Sequence, residues 1–207
     1  MIHVADAITY PVVETFHSVQ GEGHWSGANA FFIRLGGCDV HCSWCDTKSS
    51  WPTNQHPPQT IAELVASATK AMPFMVVITG GEPLMHDLFP LSAALQAQGL
   101  RVHLETSGAH QFSGLFDWVT LSPKQFKPPH KSTYAHANEL KIVVQNTEDL
   151  LWAETQADLV PEDTIKYLQP EWETLGKHGE HGILVEYILS HPQWRVSLQT
   201  HKVLGVR

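Results

Sequence analysis

Three cysteines are the residues best suited to chemistry in this chain, and they lie within eight residues of one another. Cys38, Cys42 and Cys45 have the spacing Cys-x3-Cys-x2-Cys, and the chain has no other cysteine. A structural zinc site or an all-cysteine iron–sulfur cluster uses four protein ligands. Three thiolates on a four-iron cluster leave one iron free to bind a small molecule. On the spacing alone, a zinc site or a structural role remains the alternative.

The composition limits the classes of protein to which this chain can belong. The 207 residues predict a single domain, 1–207, and 43% apolar with 16% charged residues is typical of a soluble globular chain. A net charge of −8 argues against nucleic acid as a direct partner. No apolar run reaches the roughly 20 residues of a membrane helix, and the N-terminus lacks a signal-peptide pattern. Clustered, odd-numbered cysteines argue against disulfides, so we expect a reducing cytoplasm.

Strands and helices are predicted to alternate along the chain. The apolar patterns predict extended chain at 8–20, strands at 30–35, 74–79, 101–105, 118–121, 139–144, 164–169 and 194–199, and helices at 60–72, 86–98, 147–157 and 179–190. No helix is predicted within 122–138. Such alternation indicates right-handed βα units and a parallel sheet. Six or seven parallel strands with few helices predict an α/β fold, an incomplete, open (β/α)6-type barrel with reduced helix content.

Polar or glycine-rich residues follow the predicted strands, where the active site of such a barrel lies. They are Cys38 to Cys45, Gly80-Gly81-Glu82, Glu105-Thr106-Ser107, Ser122-Pro123-Lys124, Gln169-Pro170 and Gln199-Thr200-His201. We therefore expect one shared site.

Two further features each allow a purely structural interpretation and a functional one. The glycine-rich loop 21–27 could be a hairpin turn or a close approach to a ligand. Arg34 interrupts an apolar strand, so it needs an anion, which could be a ligand or a carboxylate at the sheet rim.

Two motifs together resemble the radical S-adenosylmethionine (SAM) superfamily. One is the cysteine spacing with Trp44 before the last cysteine, and the other is Gly80-Gly81-Glu82-Pro83 after a strand. In that superfamily the cysteines hold a [4Fe-4S] cluster that binds SAM, and the second motif binds the amino group of SAM. Backbone carbonyls that glycines leave accessible, together with a neighbouring carboxylate, can accept hydrogen bonds from an ammonium group. Both motifs at strand ends disfavour zinc.

Within the superfamily, the chain is similar to the 7-carboxy-7-deazaguanine synthase family. The similarity rests on residues 18–23, 32–35, 38–47, 79–83, 105–108, 122–124, 139–141 and 199–202. It implies a carbon–nitrogen lyase of queuosine and other 7-deazapurine biosynthesis, which serves tRNA modification. The implied reaction contracts 6-carboxy-5,6,7,8-tetrahydropterin to 7-carboxy-7-deazaguanine with loss of ammonia. SAM is implied to be regenerated, and Mg²⁺ to support the reaction.

The resemblance also implies which residues bind the cofactors. Cys38, Cys42 and Cys45 would hold the cluster. Thr47 would contact Mg²⁺, which favours oxygen ligands, although a threonine here could be an ordinary loop or capping residue. The residues implied for SAM are Ser43, Trp44, Asp46, Gly81, Ser107, Ser122, Pro123, Lys124, Gln169, Pro170, Glu171 and Trp172.

Substrate recognition is implied at a second set of residues. Arg34 would pair with the substrate carboxylate. Glu22 and Glu105 would accept hydrogen bonds from the guanidine-like edge of the pterin. The pocket would be completed by Val19, Gln20, Gly21, Thr79, His201 and Arg207, the last through a terminal carboxylate.

The resemblance further implies an electron donor such as flavodoxin, and a homodimer. A radical SAM activase that installs a glycyl radical on a partner enzyme shares the cysteine spacing and is the main alternative. The loop 20–23, Arg34 and Thr47 favour a small anionic substrate instead. A zinc-bound interaction module is the third possibility.

Overall fold

The computed structural model describes residues 8–174 and 180–207, and its strands form one mixed sheet. The strands are β1 (Thr9–Val19), β2 (Asn29–Leu35), β3 (Pro58–Thr60), β4 (Met75–Gly80), β5 (Val102–Thr106), β6 (Trp118–Leu121), β7 (Glu139–Val144), β8 (Ile165–Pro170) and β9 (Trp194–Val196). The helices of the described residues are α1 (Ile61–Ala71), α2 (Phe89–Ala97), α3 (Lys131–Tyr134), α4 (Thr147–Ala157), α5 (Glu180–Ser190) and α6 (Thr200–Leu204).

The sheet is an open barrel, which confirms the predicted fold class. Its strand order is β3-β1-β2-β4-β5-β6-β7-β8-β9. Seven strands, β2 and β4 to β9, run parallel, while β1 and β3 add antiparallel to one edge. The edges β3 and β9 do not pair with each other, so the barrel is incomplete. The carboxyl ends of all seven parallel strands therefore meet at one rim.

Alternate residues of the central strands face opposite sides of the sheet. Ile33, Ile78 and Leu104 pack outward against α1 and α2, and Leu140 packs outward against α4. The residues that follow each of them in the chain, Arg34, Thr79, Glu105 and Lys141, line internal cavities. A strand that looks almost continuously apolar in sequence thus carries polar side chains into the barrel.

Helix boundaries follow local capping. Thr60, the first residue of the predicted helix 60–72, caps α1 with a full capping box, in which the Glu63 carboxylate accepts a hydrogen bond from the Thr60 amide. Helix α2 begins at Phe89, three residues later than predicted, because a 3-10 turn at Pro83–Met85 comes first and Asp87 then accepts a hydrogen bond from the Phe89 amide. Residue 179, the predicted start of α5, lies outside the described residues.

Two predictions about the elements were wrong. The segment 122–138 contains the short helix α3, which His130 caps through its side chain. Strand β9 ends at Val196 rather than 199, because Ser197 and Gln199 turn inward and bond to Gln169 and Glu22.

None of the helices in the described ranges could cross a membrane, since the longest have eleven residues.

Candidate active site

The cysteine loop follows β2 at the rim and is held by backbone hydrogen bonds. Gly37 and Cys38 donate to the carbonyls of Ser50 and Trp51, at 2.7 and 3.0 Å. The loop also packs directly on Gly81. A β-carbon at Gly81 would lie 2.2 Å from the Gly37 carbonyl oxygen and 2.8 Å from the β-carbon of Cys38. Glycine is therefore required here by the close approach of two loops.

The three thiols face one small cavity. Cys38, Cys42 and Cys45 are unpaired, half-buried and line a space of about 140 Å³ together with Gly81 and Ser107. Burial raises the pKa of the Cys42 thiol, and the two neighbouring cysteines raise it further, whereas Lys124 lowers it. Since Cys38 and Cys45 act electrostatically on Cys42, a positively charged cluster in this cavity would favour all three thiolates.

A multi-iron cluster fits this donor set better than a single zinc ion. Within the part of the chain that the structure describes, no group of three or more His, Cys, Asp or Glu side chains surrounds one metal position. A single zinc ion needs such convergence, with four ligands at about 2.0–2.3 Å. A [4Fe-4S] cluster places each thiolate on a different iron and does not. Three cysteines on one cavity wall therefore suit a cluster with one open iron.

Glu82 lines the cysteine cavity and also links the ends of two strands at the rim. Its buried carboxylate accepts hydrogen bonds from Thr106 Oγ1 (2.5 Å), from the amide and hydroxyl of Ser107 (2.8 and 2.5 Å) and from the Leu84 amide (3.0 Å). The ends of β4 and β5 are thereby joined. Gly80, Gly81 and Glu82 of this motif all line the cysteine cavity.

A larger cavity of about 490 Å³ adjoins the cysteines. It is lined by nine of the residues predicted for SAM, namely Ser43, Trp44, Asp46, Ser122, Lys124, Gln169, Pro170, Glu171 and Trp172. Gly81 and Ser107 line the cysteine cavity instead, and Pro123 lies buried between Ser122 and Lys124. The structure thus brings the predicted SAM residues to one side of the cysteine loop, while their roles stay predictions.

A third cavity, of about 480 Å³, adjoins the second and shares Cys45 and Asp46 with it. All nine residues predicted for the substrate line it, namely Val19, Gln20, Gly21, Glu22, Arg34, Thr79, Glu105, His201 and Arg207. Thr47 lines it too. Its volume is in the range of small-molecule sites, about 300–1,000 Å³. Cys45 and Glu105 line all three cavities, so the three spaces share walls.

Two carboxylates form the polar wall of the third cavity. Glu105 accepts hydrogen bonds from Gln20 Nε2 at 2.9 Å and from Thr79 Oγ1 at 3.2 Å. Glu22 accepts one from Gln199 Nε2 at 2.7 Å and forms an ion pair with Lys141. Burial would raise the pKa of Glu22, but the adjacent Lys141 outweighs it and holds the pKa below its ordinary value. Glu22 is thus a half-buried, charged acceptor.

Arg34 is paired within the protein and still faces the cavity. Its Nε donates to Glu14 Oε1 at 3.0 Å, as the rim-carboxylate interpretation predicts, and its Nη1 lies 3.5 Å from Thr47 Oγ1. Glu14 also pairs with Arg207 Nη2 at 2.6 Å. Since a guanidinium has five N–H donors, several remain for a ligand carboxylate. Glu14 was not predicted, because nothing local marks it among the alternating residues of β1.

Helix α6 and the residue before it, Gln199, line the cavity. Lys202 Nζ lies 2.9 Å from Asp46 Oδ2 and donates to Gln199 Oε1 at 2.8 Å. His201 packs over Gly21, where a β-carbon would lie 2.0 Å from the histidine Nδ1. No role was predicted for Gln199 or Lys202. Their sequence signals were the match of residues 199–202 to the synthase family and, for Gln199, its place in the polar run at the end of the last predicted strand.

Comparisons with known proteins agree with this geometry over most of the chain. The sequence profile of the Radical SAM superfamily matches residues 32–142. A 7-carboxy-7-deazaguanine synthase from Synechocystis is 60% identical over 97% of this chain and 95% of its own. That of Flavobacterium psychrophilum is 46% identical over 95% and 92%, respectively. A crystal structure of QueE from Escherichia coli superposes with a TM-score of 0.82 at 30% identity, covering 94% of this chain and 96% of that one.

Proposed function

The chain belongs to the 7-carboxy-7-deazaguanine synthase family of the radical SAM superfamily, and we propose that it converts 6-carboxy-5,6,7,8-tetrahydropterin to 7-carboxy-7-deazaguanine with loss of ammonia. This is a lyase reaction of 7-deazapurine biosynthesis. One observation carries the proposal: all nine residues expected to touch the pterin line one cavity that shares Cys45 with the cysteine cavity.

The two ends of the proposed substrate meet opposite charges. Arg34 binds the carboxylate, and Glu22 with Glu105 accepts hydrogen bonds from the guanidine-like edge. Because all three side chains are fixed by partners in the protein, they hold one orientation of the ring. Phe16 and Phe32, which stack at 4.7 Å, form an apolar part of the same cavity wall and limit the entry of water.

The cysteine loop connects the two halves of the site. Cys38, Cys42 and Cys45 would hold a [4Fe-4S] cluster, which would supply the electron for the reductive cleavage of SAM. Asp46 and Thr47 lie directly after Cys45. Asp46 lines both large cavities, and Thr47 lines the third cavity, where we propose that the substrate binds. We propose Thr47 as a Mg²⁺ contact, because its hydroxyl lies beside Arg34 and so beside the proposed carboxylate. We also propose that SAM is regenerated.

Three further proposals rest on the family resemblance. They are an electron donor such as flavodoxin, a homodimer and a cytoplasmic location. Three free thiols at a cavity rim support a reducing compartment.

The proposal is tested with anaerobically reconstituted, reduced protein supplied with SAM and the carboxytetrahydropterin. We expect mass spectrometry to detect the deazaguanine acid, faster with Mg²⁺ than without, and no product from Cys42→Ala. SAM consumption well below one per product is expected if SAM is regenerated. Unchanged substrate in the presence of an intact cluster would refute the assignment.

A further inference from the structure

Lys141 is a buried cation that the proposed reaction does not yet use. Its neighbours Leu140 and Ile142 pack outward in the core, so the Lys141 side chain extends into the barrel from β7. Only 5% of the residue is exposed. Its Nζ forms an ion pair with Glu22 Oε2, across 119 residues of sequence. A lysine is rarely buried this deeply without a partner or a task.

Acidic groups dominate the surroundings of Lys141. Burial lowers its pKa, but the carboxylates of Glu22, Glu105 and Glu139 outweigh burial and raise the pKa above its ordinary value. His103 supplies no charge at neutral pH, because burial lowers its pKa to about 4. The ionisable groups that act on Lys141 or on Glu22 from every packed element are Glu22, Glu105, Glu139, His103, Lys124 and His201.

The two oxygens of Glu22 each have a fixed partner on a different side. Lys141 approaches Oε2 from inside the barrel, and Gln199 donates to Oε1 from the segment before α6. Each carboxylate oxygen has two lone pairs, so both can accept a further bond from a ligand. A protonated Glu22 would lose acceptor capacity and present a donor to the donor edge of a pterin.

We propose that Lys141 is a positioning residue for substrate binding, which keeps the Glu22 carboxylate ionised and fixed in the orientation that accepts hydrogen bonds from the pterin. This inference rests on the proposed function. Without the Lys141 charge, the Glu22 carboxylate would keep the cost of its burial and lose the neighbouring cation that offsets this cost, which favours uptake of a proton.

The test compares Lys141→Met, which keeps the side-chain length without the charge, with Lys141→Arg, which keeps the charge. The probe is 6-carboxypterin, an aromatic analogue that is not turned over. Its binding to oxidised holoenzyme with SAM is measured by calorimetry from pH 5.5 to 9. Each variant is compared with wild type at the same pH, so that titration of the pterin itself cancels. We expect Lys141→Met to bind about 10- to 100-fold more weakly than wild type at pH 7, as for the loss of a charged hydrogen bond. Its affinity should recover towards pH 9, where Glu22 ionises unaided.

Two outcomes would overturn the proposal. One is wild-type affinity for Lys141→Met at every pH, and the other is a loss that does not vary with pH, which would indicate a merely structural role. Lys141→Arg should remain within a few-fold of wild type. Glu22→Gln should be weak at all pH values, and adding Lys141→Met to it should cost little more, because the two residues act as a unit.

If Lys141→Met does not fold, infrared spectra of the wild-type protein test instead whether Glu22 is ionised. In wild-type holoenzyme, the spectrum minus that of Glu22→Gln should show no protonated-carboxyl band for Glu22 between pH 5.5 and 8. Such a band within this range would refute the role of Lys141. The spectra do not depend on pterin chemistry. Wild type that binds no pterin would therefore count against the proposed function alone.

Discussion

Replacing Glu139 with glutamine is expected to stabilise the fold above pH 7 and to leave its stability unchanged near pH 4.5. Glu139 begins β7 with 1% exposure and accepts hydrogen bonds from the His24 amide (3.0 Å) and from Trp118 Nε1 (3.3 Å). Burial, the largest cause, raises its pKa from 4.5 to about 7, while Lys141 opposes the change. The fold therefore favours the protonated carboxyl.

The magnitude follows from the linkage between protonation and folding. A folded-state pKa above the unfolded value contributes stability that is fully present below pH 4.5 and is lost as the pH rises to about 7. At about 1.4 kcal/mol for each pH unit, the full loss is roughly 3 kcal/mol. Glutamine keeps an oxygen acceptor and cannot ionise, so it avoids this loss. For a chain of this size, the gain corresponds to roughly 6–12 °C in Tm.

Urea unfolding of the reduced protein, followed by tryptophan fluorescence between pH 4.5 and 8.5, measures the difference directly. The stability gap between Glu139→Gln and wild type should widen with pH and level off above about pH 7. Glu162→Gln, at an exposed position before β8, is the matched control and should show no such trend. A gap of equal size at pH 5 and pH 8 would show that Glu139 is ionised in the folded protein and would refute the reasoning.

Two substitutions test the geometry of the rim. Gly81→Ala should lower the iron bound per chain after reconstitution, because the added methyl group would lie 2.2 Å from the Gly37 carbonyl oxygen. Gly182→Ala is the control, since there is open space at its β-carbon. Full iron loading of Gly81→Ala would contradict this packing argument. Arg34→Ala should raise the substrate KM about 10- to 100-fold while SAM binding is retained, since a charged hydrogen-bond partner is lost. Arg195→Ala, at an exposed position of β9, is the control. An unchanged KM for Arg34→Ala would show that Arg34 does not bind the substrate.

The elements and the cysteine site could be predicted because their signals are local. The cysteines span eight residues, and Thr60 with Glu63 forms a cap within four. The strands were visible as apolar runs. The sequence did not show that alternate polar residues such as His103 and Lys141 are buried. Buried residues are usually apolar, but an interior that binds a ligand also contains polar side chains.

The partners of the site residues could not be read from sequence. Glu14 with Arg34, Lys141 with Glu22, and Gln199 with Glu22 join residues that only the closed tertiary structure brings together. Helix α3 was missed for a different reason. At four residues it is too short for a periodic pattern, and a histidine cap is an unusual start signal.

The contact between the loop after β1 and the segment after β9 has a consequence for dynamics. There the loop 20–28 meets the segment after β9 through a few bonds, such as Thr200 to the Gly21 carbonyl and the Gly23 amide to Ser197. Since no strand ladder crosses this seam, parting it costs less free energy than global unfolding. Amides around the substrate cavity should thus exchange their hydrogens through sub-global openings, well before those of β4 and β5. Substrate entry can use the same breathing motion without disturbing the central sheet.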